Sequence, residues 1–347
     1  MVFWYLLILI VAFVKVRVCK KGFFPDYIGM EQSNAVKGLF ILLVFMGHIL
    51  ALIKRCGFNF EQPMDYAAKF FYSEMGQLVV ALFLFYSGFG VMKSLQIKGQ
   101  TYLDSYPKSR LLTTLLNFDI AVCFFLLLGL LTKQPMGVSN ILLSFIGWES
   151  LGNSNWYIFV ILVCYLVFYG VFKAVQSYHL VGALLVTILL FGLMLVLHQV
   201  KTNQYWYNTV LVFPAGVFYA LFSNQIEQVV QKRYWLVLAI LLTAFVVLHT
   251  CHFRPLHGLT FNIQAIVFAI FVVILTMKIR LCNKLLVWCG LSLFPLYIYQ
   301  RLPMNAIRSW AGDAWICANP NLYIAICLAL TLGIALLYNK YLRIKLT

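Results

Sequence analysis

Charge is what this sequence has least of. Only ten of its 347 residues are Asp or Glu, and all charged residues together make 10%, against about one quarter in an ordinary soluble domain. No polar stretch is long enough to form a water-soluble domain of its own. Internal repeats and low-complexity tracts are also missing. The nine cysteines are an odd number with no framework spacing. Cys123, Cys164 and Cys327 fall inside apolar runs, where they are expected to act as small buried hydrophobes. What the chain does have is 63% hydrophobic residues and a mean hydropathy of +0.91. That is more apolar surface than a soluble core can bury, so the composition points to one membrane-embedded domain.

The 26 Lys and Arg give a net charge of +16, but they are scattered in short clusters between apolar runs. A nucleic-acid-binding protein concentrates them on one stripe, so no nucleic acid is expected and lipid is the expected surrounding. Runs of about 17 to 25 mostly apolar residues mark membrane-crossing helices. They occur at 2–18, 35–53, 76–92, 111–131, 156–172, 180–197, 206–222, 234–249, 260–277, 285–300 and 322–338. The fold expected is an all-α, polytopic transmembrane bundle of 10–11 spanning helices, because helices satisfy their backbone hydrogen bonds within lipid.

Basic residues mark the cytoplasmic side. With Lys15, Arg17, Lys20 and Lys21 inside and one crossing per run, eighteen of the 26 Lys and Arg fall inside. Lys54, Arg55, Lys69, Lys133, Lys201, Arg254, Arg301 and Arg308 fall outside. An outside N-terminus and a cytoplasmic C-terminus follow. The first run lacks a preceding positive segment and a small-residue cleavage site, so it reads as an uncleaved anchor. Residues 1–30 are then an anchor helix with a basic cytoplasmic linker, and 31–347 the main transmembrane domain.

Polar side chains at membrane depth are costly and are functional candidates for that reason. His48 lies deep in the second run, eleven residues after Lys37. Eleven residues return a helix to within roughly 20° of its starting direction and advance it about 16 Å, so the two share one stripe. A cation at the mouth and a base further in suit an extended molecule with an anionic head and a reactive tail. A boundary lysine and a structural histidine would give the same pattern. Asp119, inside the fourth run, needs a partner, with His48 or Arg110 the candidates by type. Ser87-Gly88 allows close approach of a helix or a substrate. Arg110, beside Lys108, can grip a phosphate or simply mark the inner membrane edge. His249, Cys251, His252 and His257 match neither common zinc spacing, and no metal is expected.

These residues resemble acyltransferase family 3. The sequence Asn34-Ala35-Val36-Lys37-Gly38-Leu39 followed by Gly47-His48 is similar to the family's basic residue, ten-residue gap and histidine. The aromatic run 80–86 ending in Ser87-Gly88, the basic stretch Lys108-Ser109-Arg110, Asn155-Trp156-Tyr157, and Gly290-Leu291-Ser292 with Tyr297-Ile298-Tyr299 resemble its remaining motifs. Three positions depart from the pattern: Lys37 replaces an arginine, Thr113 a second arginine, and Gln300 a histidine.

The resemblance implies a plasma-membrane enzyme, bacterial in origin, that moves an acyl group, commonly acetyl, from acetyl-CoA to a hydroxyl of a carbohydrate or lipid-linked glycan. Acetyl-CoA serves as co-substrate, with no tightly bound cofactor. It implies His48 as catalytic base, Lys37, Lys108 and Arg110 as donor-binding residues, and Ser87, Trp156 and Gln300 as substrate-orienting ones. Two other readings stay open: a transporter or flippase of a lipid-linked sugar using His48 and Asp119 as a proton relay, and a catalytically silent member.

Overall fold

The computed structural model describes residues 1–250 and 257–346, almost entirely helical. Seven helices or fused helix pairs are long and apolar enough to cross a membrane, and two bent pairs bring the number to nine among the described residues. Large apolar side chains such as Ile188, Leu195, Trp235 and Ile240 stay exposed on the outside of the bundle, as expected where lipid is the solvent.

Apart from the two bent pairs, two of the eleven apolar runs make helices shorter than expected. Helix α1 (Val2–Phe13) has 12 residues, about 18 Å of rise against an apolar bilayer thickness of about 30 Å. Tyr5 lies near Phe71 at one end of the bundle, and the Val11 carbonyl accepts a hydrogen bond from Asn283 at the other. After α1, strand β1 (Arg17–Val18) pairs antiparallel with β2 (Ile279–Arg280), pinning the basic linker to the chain before the last helices. An Arg280–Asp26 ion pair reinforces that junction, as does Gln32, which donates to the Ile279 carbonyl and accepts from the Leu281 amide.

Helix α2 (Met30–Arg55) carries both Lys37 and His48. Residues 54–75, which read as a connection, contain helix α3 (Pro63–Met75). Helix α4 (Leu78–Lys98) continues from it and is buried along most of its length. Next come α5 (Gln100–Tyr106), a π-helical turn over Pro107–Leu112 and α6 (Thr113–Leu131). The short α7 (Val138–Ser144) precedes a glycine-rich loop, α8 (Trp156–Val175) and α9 (His179–Val200). Cys164 and Cys327 are buried as expected, whereas Cys123 is exposed on α6, turned away from the core.

The 206–222 run is the second exception. Its first residues, 206–211, are buried but not α-helical, and α10 (Val212–Leu221) has only 10 residues. Asn262 makes this possible. Its Oδ1 accepts from the Leu211 amide at 2.8 Å and its Nδ2 donates to the Tyr207 carbonyl at 2.8 Å, satisfying backbone groups that have no helix to serve them. The run still crosses the bundle, because the Trp206 ring tilts against Trp148 at one end and Ser223 accepts a hydrogen bond from Lys93 at the other.

Helices α11 (Ser223–Lys232) and α12 (Tyr234–Thr250) meet at a bend of 103°, and α13 (His257–Leu275) returns through the bundle. The last broken span comprises α14 (Lys284–Leu291), α15 (Leu293–Tyr299) and α16 (Arg301–Ala318), with a bend of 69° after α14. Residues 301–318, expected as a connection, are helical instead on both sides of a kink at Gly312. Helix α17 (Pro320–Leu337) and a short tail close the chain.

Two close helix crossings hold the core. A Cβ on Gly38 would stand 1.8 Å from the Leu286 carbonyl, and one on Gly290 1.9 Å from that of Asn34, so α2 and α14 touch backbone to backbone. Gly88 and Gly216 lock α4 to α10 in the same way, at 2.0 Å from the Phe213 carbonyl and 2.1 Å from that of Phe85. Small residues permit such approach where no hydrophobic effect drives helices together.

Candidate active site

A cavity of about 410 Å³ opens at the Arg55 end of α2. Its wall is built from α1, α2, the α3–α4 junction, the 150–155 loop, the start of α8 and the start of α16. His48 lines it, half-buried, with its Nδ1 lacking a hydrogen-bond partner among the described residues. The ring lies 6.3 Å, centroid to centroid, from Tyr297, which is itself 5.1 Å from Tyr157.

The bend after Gly290 brings the end of α15 to this ring. Ser292 sits at the break, where its hydroxyl accepts from Asn339 at 2.8 Å. Gln300 is then fully buried beside His48, with its Nε2 donating to the Tyr297 carbonyl at 2.8 Å. Trp156 is buried in the cavity wall and tilts against Tyr205 at 5.8 Å. The loop before it is held by its own polar groups. Gly152 takes a left-handed φ of +101°, Ser150 donates to the Asn153 carbonyl at 2.8 Å, and Asn155 donates to that of Gly147 at 2.8 Å.

Lys37, Lys108, Arg110 and Ser87 do not line this cavity. Lys37 lies about three helical turns away, close enough to Arg110 for the two charges to repel. Arg110 stands near Tyr102, Tyr106 and Tyr165. The π-helical turn sets its direction, and Thr113 closes that turn by donating to the Lys108 carbonyl at 2.8 Å. Lys108 itself is exposed. Ser87 lies between the two ends, its Oγ 3.4 Å from the Tyr165 hydroxyl.

A second cavity, of about 360 Å³, opens beside Arg110. It is lined by Ser109, Thr113, Asn117 and, from the tail, Arg343 and Lys345. The tail is fixed there by Asn117, which accepts from the Ile344 amide and donates to the Ile344 carbonyl. The family model described as an acyltransferase domain matches residues 30–340.

The chain belongs to acyltransferase family 3. With its membrane-length helices it is an integral, multi-pass membrane acyltransferase. No curated protein and no solved structure matches it. In this acyltransferase the ten-residue gap between Lys37 and His48 puts the two on one stripe of a single helix, half-buried at opposite ends.

Asp119 makes no ion pair with His48 or Arg110. It is half-buried on α6, and its Oδ1 has no hydrogen-bond partner among the described residues. No direct contact joins the two members of the proton relay in the transporter reading among the described residues. His249 is held by Glu74 at 2.6 Å and by Gln264 at 2.9 Å. Cys251, His252, the side chain of His257 and Arg254 lie outside the described residues.

Arg55 and Arg301 are the two cationic side chains of the cavity wall, and sequence patterning does not single them out as site residues. In the sequence they count only as outside charges. The sole cue there is that Arg301 directly follows Gln300 in the late signature.

Proposed function

We propose that this acyltransferase transfers acetyl from acetyl-CoA to a hydroxyl of a cell-envelope carbohydrate or lipid-linked glycan, with His48 as general base. Support comes chiefly from one observation: an unpartnered imidazole nitrogen at membrane depth on the wall of a cavity. The acceptor enters from the Arg55 end. His48 takes the proton from its hydroxyl as the oxygen attacks the thioester carbonyl. The tetrahedral intermediate collapses, the C–S bond breaks, and the thiolate of CoA leaves and recovers the proton from the imidazolium. Ser154 and Asn155, on the cavity wall, offer polar groups to the transient oxyanion.

The donor's phosphates rest at the Lys37 end, in the cavity beside Arg110. Arg343 and Lys345 supply there the charge that Thr113 does not. The pantetheine arm passes Ser87 and the Tyr157–Tyr297 ring pair to reach His48. With the Lys37 end cytoplasmic in a bacterial plasma membrane, acyl groups cross the bilayer without transport of the donor. Incubating membranes with radiolabelled acetyl-CoA and fractionated envelope glycans tests the reading. Label is expected in glycan, falling at least about a hundredfold with His48→Ala. Full transfer by a folded His48→Ala variant removes the mechanism.

A further inference from the structure

The acceptor cavity carries positive charge that no ion pair balances among the described residues. Arg55 and Arg301 both line it and lie near enough to repel one another. None of the residues lining it is Asp or Glu. The nearest carboxylates in sequence are engaged elsewhere, Glu74 with His249 at 2.6 Å and Glu149 with Lys201 at 3.6 Å. Arg301 has five N–H donors. Only one makes a protein hydrogen bond among the described residues, to the Asn153 carbonyl at 3.4 Å.

Helix electrostatics explains one of these arginines but not the other. Arg55 closes α2, where a cation is favoured by the negative end of the helix dipole. Arg301 lies inside the continuous run Leu293–Ala318, joined to α15 through the helical backbone of Gln300, so no helix end favours a cation there. A partly desolvated guanidinium beside a second arginine is retained at a cost unless an anion joins it. The rest of the wall suits a sugar: Trp156, Tyr205 and Tyr72 offer ring faces, and Ser150, Asn153 and Gln77 offer hydroxyl partners.

We propose that the cavity selects an acceptor bearing an anionic group, phosphate or carboxylate, next to the sugar that is acylated, with the anion seated between Arg55 and Arg301. This rests on the acyltransferase reading and names the chemical class of its acceptor. It also gives Arg301 a task separate from chemistry at His48: the fork fixes the ring so that one hydroxyl faces the imidazole.

The test uses the full chain in phosphatidylcholine nanodiscs and equilibrium binding of radiolabelled glucose 1-phosphate, glucuronic acid and glucose. An anionic sugar is expected to bind at least tenfold tighter than glucose, with the preference shrinking as salt rises. A phosphate source of the anion favours glucose 1-phosphate, and a carboxylate source favours glucuronic acid. Arg301→Gln is expected to abolish the preference while leaving glucose and acetyl-CoA binding unchanged, and Arg301→Lys to keep part of it. Should Arg301→Gln not fold, Arg55→Gln is expected to weaken the same preference.

Glucose binding as tightly as both anions, none of the three probes binding, or a preference that survives Arg301→Gln overturns the proposal. So does Arg301→Gln weakening acetyl-CoA instead, which would assign the arginine pair to the donor. Because binding is read without acetyl transfer, loss of the His48 mechanism would show separately, as full transfer by His48→Ala with the anion preference intact.

Discussion

At the scale of single residues, Gln300 is the departure from the family pattern that the geometry best explains. It cannot titrate, but it is fully buried beside His48 and anchored through its Nε2 to the Tyr297 carbonyl. Its Oε1 makes no hydrogen bond among the described residues, so it is free to accept the imidazole N–H once the ring turns, which would hold one tautomer and leave the other nitrogen as base. On this view Gln300 is a positioning residue and not a proton carrier. Gln300→Leu is expected to lower kcat roughly 10- to 100-fold, by analogy with loss of an orienting partner, with the acceptor KM little changed. A KM increase with kcat intact would instead give Gln300 a binding role. The pairing of Lys37 with His48 was legible because one helix carries both and helix geometry alone relates them. Arg55 and Arg301 were not, since their shared cavity exists only once α2 and α16 are packed together.

At the scale of elements, the recurring motifs turn out to be packing devices as much as chemistry. Gly38 and Gly290, from the first and last motifs, face each other's helices, and Gly88, from the Ser-Gly pair, meets α10. Gly88→Ala sets a methyl against the Phe213 carbonyl and is expected to destabilise by about 1–3 kcal/mol. Gly90 lies two residues along the same helix, and a methyl placed on it would meet nothing within 4 Å. Gly90→Ala is therefore expected to be neutral or to stabilise by up to about 1 kcal/mol, since helix propensity alone acts there. Thermal unfolding of the two variants in one detergent makes the comparison, and equal effects would refute the close crossing. Apolar run length revealed where the chain crosses but not how. The 206–222 run reads as a single helix because hydropathy does not register Asn262, which sits on another helix and makes the irregular backbone at 206–211 tolerable.

At the scale of the whole molecule, the charges sort to two ends. Pairing of β1 with β2 joins Arg17 to Arg280. Lys37 meets Arg110, the tail brings Arg343 and Lys345 to the same cavity, and Lys93 reaches Ser223. Charge bias assigns all of these basic residues to one side, and the fold gathers them as that bias requires. Arg55 and Arg301 gather at the opposite end with the His48 cavity. Acyl transfer across a bilayer demands that these ends face different compartments, which is a statement about labelling as well as mechanism. In a background whose nine cysteines are replaced, Ser150→Cys at the rim of the His48 cavity is expected to react with a membrane-impermeant maleimide on intact cells. Ser109→Cys, in the cavity beside Arg110, is expected to react only after the cells are opened. Labelling of both from the same side would mean that donor and acceptor share a compartment. The separation of Lys37 from His48 along α2 would then describe the depth of one binding site and not a route through the membrane.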